Sequence, residues 1–192
     1  MQEIKLKNVG ETRAWAAEFA KTLCAPCVVA LHGDLGMGKS EIARSIIQTL
    51  CGADTVVPSP TFTLVQSYEC SVACPPSWGG LSRRSDSEGR LGGATSEKNS
   101  NKKSLNEEVP PRRPLGDTPP HRGPRATERI SHFDLYRITD ASELEEIGLG
   151  HACANDITLI EWPEIAAGFL PANTIHIYLE EYEGGRKLEM TE

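Results

Sequence analysis

Eight consecutive residues, Gly33-Asp-Leu-Gly-Met-Gly-Lys-Ser40, fit the pattern Gly-x-x-x-x-Gly-Lys-Ser. Phosphate oxygens approach a backbone closely, so Gly36 and Gly38 remove side chains there and permit unusual dihedral angles. Such a loop turns its N–H groups toward an anion, and the helix that follows adds its positive end. The Lys39 ammonium reaches the outer phosphates as a point charge. The Ser40 hydroxyl is a hard oxygen ligand suited to Mg²⁺. The expected ligand is a nucleoside triphosphate with Mg²⁺, held by Asp34, Leu35, Gly36, Met37, Gly38, Lys39 and Ser40.

A phosphate loop also needs a carboxylate on a neighbouring strand to hold the metal or its water. Two acids follow apolar strand residues: Asp134 in His-Phe-Asp-Leu-Tyr-Arg and Glu161 in Leu-Ile-Glu-Trp. Both can stand at the carboxyl edge of an α/β sheet, where ligands bind. The expected catalytic set is Lys39, Asp134 and Glu161, and the expected metal set is Ser40, Asp134 and Glu161. Thr61 and Thr63 follow a Pro-bounded loop and can meet the γ-phosphate or Mg²⁺ as a switch, or be ordinary strand threonines. Trp162 can cover the site or fill the core. His132 reads better as a packed strand histidine than as a catalytic one. A GTP reader would need Asn-Lys-x-Asp, but Asn101-Lys-Lys-Ser lacks the acid. ATP is the better match.

The elements around these residues have the required order. Cys27–His32 is a continuous apolar run, a buried parallel strand running into the glycine loop. Ser40–Leu50 places Ile42, Ile46, Ile47 and Leu50 at helical spacing. Strand, glycine loop, helix is the context a phosphate loop requires. Residues 2–7 alternate as a short strand. Glu11–Leu23 sets Trp15, Phe19 and Leu23 on one helix face. Strands are expected over Thr61–Tyr68, Ile130–Tyr136 and Asp156–Glu161. A short helix is expected over Ala141–Leu149, stopped by Gly148 and Gly150. Thr174–Tyr182 and Arg186–Met190 flank Glu183-Gly-Gly185, a hairpin signal. The fold class is α/β: a mixed, mostly parallel sheet flanked by helices, with a C-terminal hairpin.

Residues 70–128 differ sharply. Ser, Pro, Gly, Arg, Asn and Lys dominate, and large apolar residues show no period. Such a stretch buries too little apolar area to offset chain entropy, so it reads as a disordered insertion in a single 1–192 domain. It carries +3, while the rest of the chain carries -10, so the core by itself is a poor grip for a phosphate backbone. No apolar run approaches the roughly 20 residues of a membrane helix. The first residues lack a signal-peptide core. A cytoplasmic protein is expected, with its six cysteines reduced rather than paired.

Taken together, the glycine loop, Ser59-Pro-Thr-Phe-Thr-Leu-Val65, His132-Phe-Asp-Leu-Tyr-Arg137, Glu143-Leu-Glu-Glu-Ile-Gly148 and Ile160-Glu-Trp-Pro163 occur in the order found in the bacterial TsaE (YjeE) family, which the chain resembles. The resemblance spans nearly all residues outside 70–128. It implies an ATP-hydrolysing subunit of tRNA threonylcarbamoyladenosine formation, weak alone and activated by TsaB and TsaD partners. It implies contact with tRNA only through that complex, and none with a membrane. It also implies that Lys39 and the loop amides hold phosphates, and that Ser40 binds Mg²⁺. Glu161 would bind Mg²⁺ or poise water, and Asp134 would support the metal shell. Thr61 and Thr63 would form the switch-like segment, while Thr12 and Arg186 would lie near the nucleotide. One departure stands out. Where the family often has a second hydroxyl after the loop serine, this chain has Glu41, an acid expected to point outward. A small-molecule kinase and a nucleotide-gated assembly protein are the competing readings. The kinase would need a basic lid, and only Arg83-Arg84 and Arg112-Arg113 resemble one.

Overall fold

The computed structural model describes residues 2–72 and 126–191. Their strands are β1 (Gln2–Leu6), β2 (Cys27–His32), β3 (Val65–Val72), β4 (Ala126–Asp134), β5 (Ile157–Glu161), β6 (Ile175–Tyr182) and β7 (Gly185–Thr191). The helices are α1 (Val9–Ala20), α2 (Lys39–Cys51), α3 (Glu143–Glu146) and α4 (Leu149–Asn155), with a 3-10 turn at Pro163–Ala166. The strands form a seven-stranded sheet in the order β1-β7-β6-β2-β5-β4-β3. The central four, β6-β2-β5-β4, are parallel, and antiparallel strands close both sides. This is the mixed α/β sheet with a C-terminal hairpin expected from the sequence.

The parallel centre follows from composition. Cys27–Leu31 and every residue of β5 are buried, as strands covered on both faces must be. On one face Val29, Leu31, Leu159 and Ile177 meet Ile42, Ile46 and Ile47 of α2 and Ala16 and Ala20 of α1. On the other, Val28, Phe133 and Ile160 meet Leu144, Leu149 and Ala152 of α3 and α4. Helix α1 is started by a reciprocal cap. The Asn8 side chain accepts the Glu11 N–H at 3.0 Å, and Glu11 Oε2 accepts the Lys7 N–H at 2.8 Å. The inward face of α1 is Thr12, Ala16 and Ala20, the small residues that allow close approach to the sheet. Trp15 and Phe19 stack on each other at 5.2 Å and pack from the flank, so they are not the centre of the buried face.

Three sequence expectations need correction. Thr61–Leu64 is not strand. The Pro60 carbonyl accepts the N–H groups of Thr63 and Leu64, a turn that a proline-bounded entry favours, and β3 begins only at Val65. The acidic helix is shorter than 141–149, since α3 spans Glu143–Glu146. Gly148, with φ 77°, ends it as expected, but Gly150 stops nothing: α4 runs through it because Leu149, Ala152 and Cys153 bury one side. Residues 70–72 and 126–128, expected within the insertion, are strand. Residues 70–72 pair with 126–128 in the β3–β4 ladder, where backbone hydrogen bonds extend a strand pair without an apolar pattern. The remainder of that expectation lies outside the described residues.

The cysteines also depart from expectation. Cys51, at the end of α2, is bonded to Cys70 of β3, because the packing of α2 on that strand brings the two Cα atoms to 4.6 Å. Cys24 is disulfide-bonded too, while Cys27 and Cys153 are free and buried. Cys24 and Cys27 are not bonded to each other, and burial pushes the Cys27 thiol up to about 12. Among the described residues no helix is long and apolar enough to cross a membrane.

Ile46 is wholly buried between α2 and the sheet. Ile46→Ala removes that contact and should cost about 2–5 kcal/mol of stability, read as a lower midpoint in urea unfolding.

Candidate functional site

The loop between β2 and α2 is fixed by its backbone. Gly33 has φ 133°, and a Cβ there would lie 2.5 Å from the Leu179 carbonyl oxygen, so only glycine fits against β6. Gly38, with φ 102°, starts α2 in a left-handed conformation. A Cβ built on it meets no protein atom within 4 Å, so the space above the loop is open for a ligand. Arg186 of β7 braces the loop from outside. Its Nε donates to the Met37 carbonyl at 3.1 Å and its Nη2 to the Gly36 carbonyl at 3.3 Å.

Lys39, the first residue of α2, is buried. Its Nζ donates to the Gly33 carbonyl, and to the Asp34 carbonyl at 2.9 Å. The Trp162 ring covers it at 3.7 Å from nitrogen to centroid. Burial lowers the pKa of this ammonium, and the charges of Glu161, Glu164, Asp134 and Asp34 oppose that shift. Trp162 itself has a left-handed backbone, φ 56°, and its ring lies against Tyr136 at 5.0 Å.

Sheet register brings the acids together. Asp134 stands opposite Glu161 across the β4–β5 pair, and Leu31 stands opposite Glu161 across β2–β5. Both carboxylates therefore end adjacent strands beside the start of the loop. Both are nearly inaccessible, at 4% and 2% exposure. Glu161 Oε2 accepts the Ser40 hydroxyl at 2.8 Å. Its Oε1 lies 2.9 Å from His132 Nε2, which must be the donor because a carboxylate only accepts. Asp134 Oδ2 accepts the Thr61 hydroxyl at 2.6 Å, and its Oδ1 accepts the Tyr136 N–H at 3.1 Å.

Lys39, Ser40, Thr61, Asp134, Glu161 and Trp162 line one cavity of about 200 Å³, into which Leu35, Gly36 and Gly38 also face. A second cavity of about 380 Å³ adjoins the same loop. It is bounded by Thr12, Gly36, Met37, Gly38 and Arg186, together with Glu41. Asp34 is exposed at the loop tip, contributing its carbonyl to Lys39. Of the expected residues, Thr63 stays away from both cavities and from the loop. It is exposed, and its hydroxyl meets only the Gln66 side chain, at 3.5 Å, because the turn at Pro60 aims Thr61 inward and Thr63 away.

His132 is a buried strand histidine, as expected, and it also contacts Glu161 directly, a contact the sequence reading did not include. Its position two residues before Asp134 on the same strand face was the available signal. Glu41 is 19% exposed and is held between Arg13 and Arg44.

An ion-binding role fits this donor set. Mg²⁺ is usually held by one or two carboxylates together with substrate phosphates. Ser40 and Glu161 offer hard oxygens at the rim of a phosphate-sized cavity, with Asp134 beside them.

Comparison with known proteins agrees with this architecture. The family model described as threonylcarbamoyl adenosine biosynthesis protein TsaE matches residues 6–75 and 120–188. A Rickettsia bellii protein named tRNA threonylcarbamoyladenosine biosynthesis protein TsaE is 30% identical over 183 residues, which is 95% of this chain and 89% of that one. A Haemophilus influenzae protein of the same name is 28% identical over 164 residues, 85% of this chain and 68% of that one. The crystal structure of Bacillus subtilus YdiB superposes with a TM-score of 0.56 at 18% identity, covering 97% of this chain and 82% of that one, a likeness of fold.

The Glu161–His132 contact generates a stability test. His132→Ala leaves Glu161 Oε1 buried without its donor and should cost about 1–3 kcal/mol. His132→Gln, which can still donate, should recover part of that loss in urea unfolding.

Proposed function

The chain belongs to the TsaE family of threonylcarbamoyl adenosine biosynthesis proteins, and from that premise we propose that it binds and hydrolyses ATP to support threonylcarbamoyladenosine formation on tRNA. The observation that carries the reading is the convergence of Lys39, Ser40, Thr61, Asp134 and Glu161 on one cavity at the carboxyl ends of parallel strands. That is where α/β sheets bind ligands, and these are the groups that a triphosphate and its hydrolysis require.

The amides of residues 34–40 and the positive end of α2 receive the phosphates. Lys39 neutralises charge that builds on the outer phosphate oxygens as the bond from the γ-phosphorus to its bridging oxygen breaks. Glu161 orients the attacking water and accepts its proton, leaving ADP and inorganic phosphate. Ser40 and Glu161 would hold Mg²⁺ with Asp134 beside them, and the ion would supply further neutralisation of phosphate charge. Asp134 keeps Thr61 turned into the cavity, so this threonine can sense the γ-phosphate. Trp162 closes the site over Lys39 and excludes water. Thr12 and Arg186 border the second cavity, which suits the nucleoside, while Thr63 stays outside this arrangement.

The protein works with TsaB and TsaD-like partners in the cytoplasm and meets tRNA only through them. The -10 charge outside residues 70–128 supports this, since it disfavours direct grip of a phosphate backbone. Leu35 and Phe62, 78% and 83% exposed at the mouth of the site, support partner docking there. That observation also favours a second reading, in which nucleotide binding gates assembly and hydrolysis resets it. The chain reads as one domain interrupted by an insertion, which the gap between residues 75 and 120 in the family match supports.

Lys39→Ala should reduce ATP hydrolysis by about 10²-fold or more. Glu161→Gln should retain ATP binding while hydrolysis falls by a similar factor. Calorimetry with Mg·ATP and phosphate release with the partner subunits measure the two effects. Full activity in Lys39→Ala would overturn the assignment.

A further inference from the structure

Glu41 places a full negative charge on the first turn of α2, beside the loop that receives phosphates. An acid free to turn into that space would repel a polyanion. In this chain it is held aside from two directions. Arg13 of α1 donates from Nε to Glu41 Oε1 at 2.5 Å, and Arg44, one turn along α2, donates from Nη1 to Oε2 at 3.0 Å. The three side chains together carry one net positive charge. Glu41 is 19% exposed and lines the cavity of about 380 Å³ shared with Thr12, Gly36, Gly38 and Arg186.

We propose that Arg13 is a positioning residue for the nucleotide: by engaging Glu41 it neutralises an acidic spot in the cavity beside the phosphate loop and holds that carboxylate away from the phosphates. The inference rests on the ATP-binding reading. Arg44 alone does not suffice. Its Nε is spent on the Val57 carbonyl at 3.3 Å, and it leaves Oε1 of Glu41 uncovered. Arg13 reaches Glu41 from a different helix, so the pair also ties α1 to the first turn of α2 at the cavity wall. Diphosphate and triphosphate nucleotides both carry phosphate past the loop, so both feel an unpaired Glu41.

The test is calorimetric titration of Mg·ATP and Mg·ADP into the full chain and into Arg13→Gln, Arg13→Lys, Glu41→Thr and the double variant Arg13→Gln/Glu41→Thr, at low and high salt. Arg13→Gln should raise Kd for both nucleotides about tenfold, and the defect should shrink in high salt. Arg13→Lys should recover most of the affinity. The double variant should return to within about twofold of the unsubstituted chain, because neither the charge nor its partner remains. Thermal midpoints should hardly move, since Arg13 is 62% exposed and such pairs contribute little to stability. Unsubstituted affinity in Arg13→Gln overturns the inference, as does a double variant as weak as Arg13→Gln. If the unsubstituted chain itself takes up no Mg·ATP, the ATP reading falls and this inference falls with it. If it binds and Arg13→Gln binds equally well, this inference alone falls.

Discussion

The site is organised by one buried carboxylate. Glu161 ends β5 at 2% exposure, and an acid this deep persists only when its oxygens are satisfied. Ser40 supplies one hydrogen bond from the first turn of α2, and His132 supplies the other from β4. These two contacts fasten the glycine loop's helix to the sheet and align the strand bearing Asp134. The position of Ser40, and with it the mouth of the phosphate loop, follows from this arrangement.

The second constraint is the cost of a buried lysine. Lys39 lies among backbone carbonyls and under the Trp162 ring, with four acids near enough to favour its charge. The arrangement keeps an ammonium in a partly dry place, where its attraction for a phosphate is stronger than in water. Trp162 reaches this position only because its backbone turns left-handed directly after β5, before the 3-10 turn of Pro163–Ala166. An unfavourable conformation of a bulky residue at a site rim is the kind of strain that function retains.

The rim differs from the interior. Leu35, Phe62 and Tyr136 lie exposed around the mouth, and the Arg137 guanidinium sits 4.6 Å from the Phe62 ring centroid. On the opposite flank, Arg13, Glu41 and Arg44 form a charged wall. One flank of the glycine loop is thus apolar and exposed and the other is charged.

Much of this was readable in the residues. The glycine loop, its strand and its helix are contiguous, so their chemistry is local and their spacing is decisive. The parallel strands were legible because strands buried on both faces have continuous apolar runs, and the Glu183–Gly185 hairpin because its turn demands positive φ. The turn at Pro60, the passage of α4 through Gly150 and the pairing of Cys51 with Cys70 were not legible, because each depends on what a distant segment packs against. The engagement of Glu41 depends in the same way on Arg13, 28 residues earlier on another helix. The amino-acid order by itself determined that a phosphate-binding loop exists and which acids are available to it. Only the tertiary structure decided which acids meet it, because the register of β4 on β5 and of β5 on β2, set by side chains packed on both faces, fixes the distances that make a carboxylate part of the site.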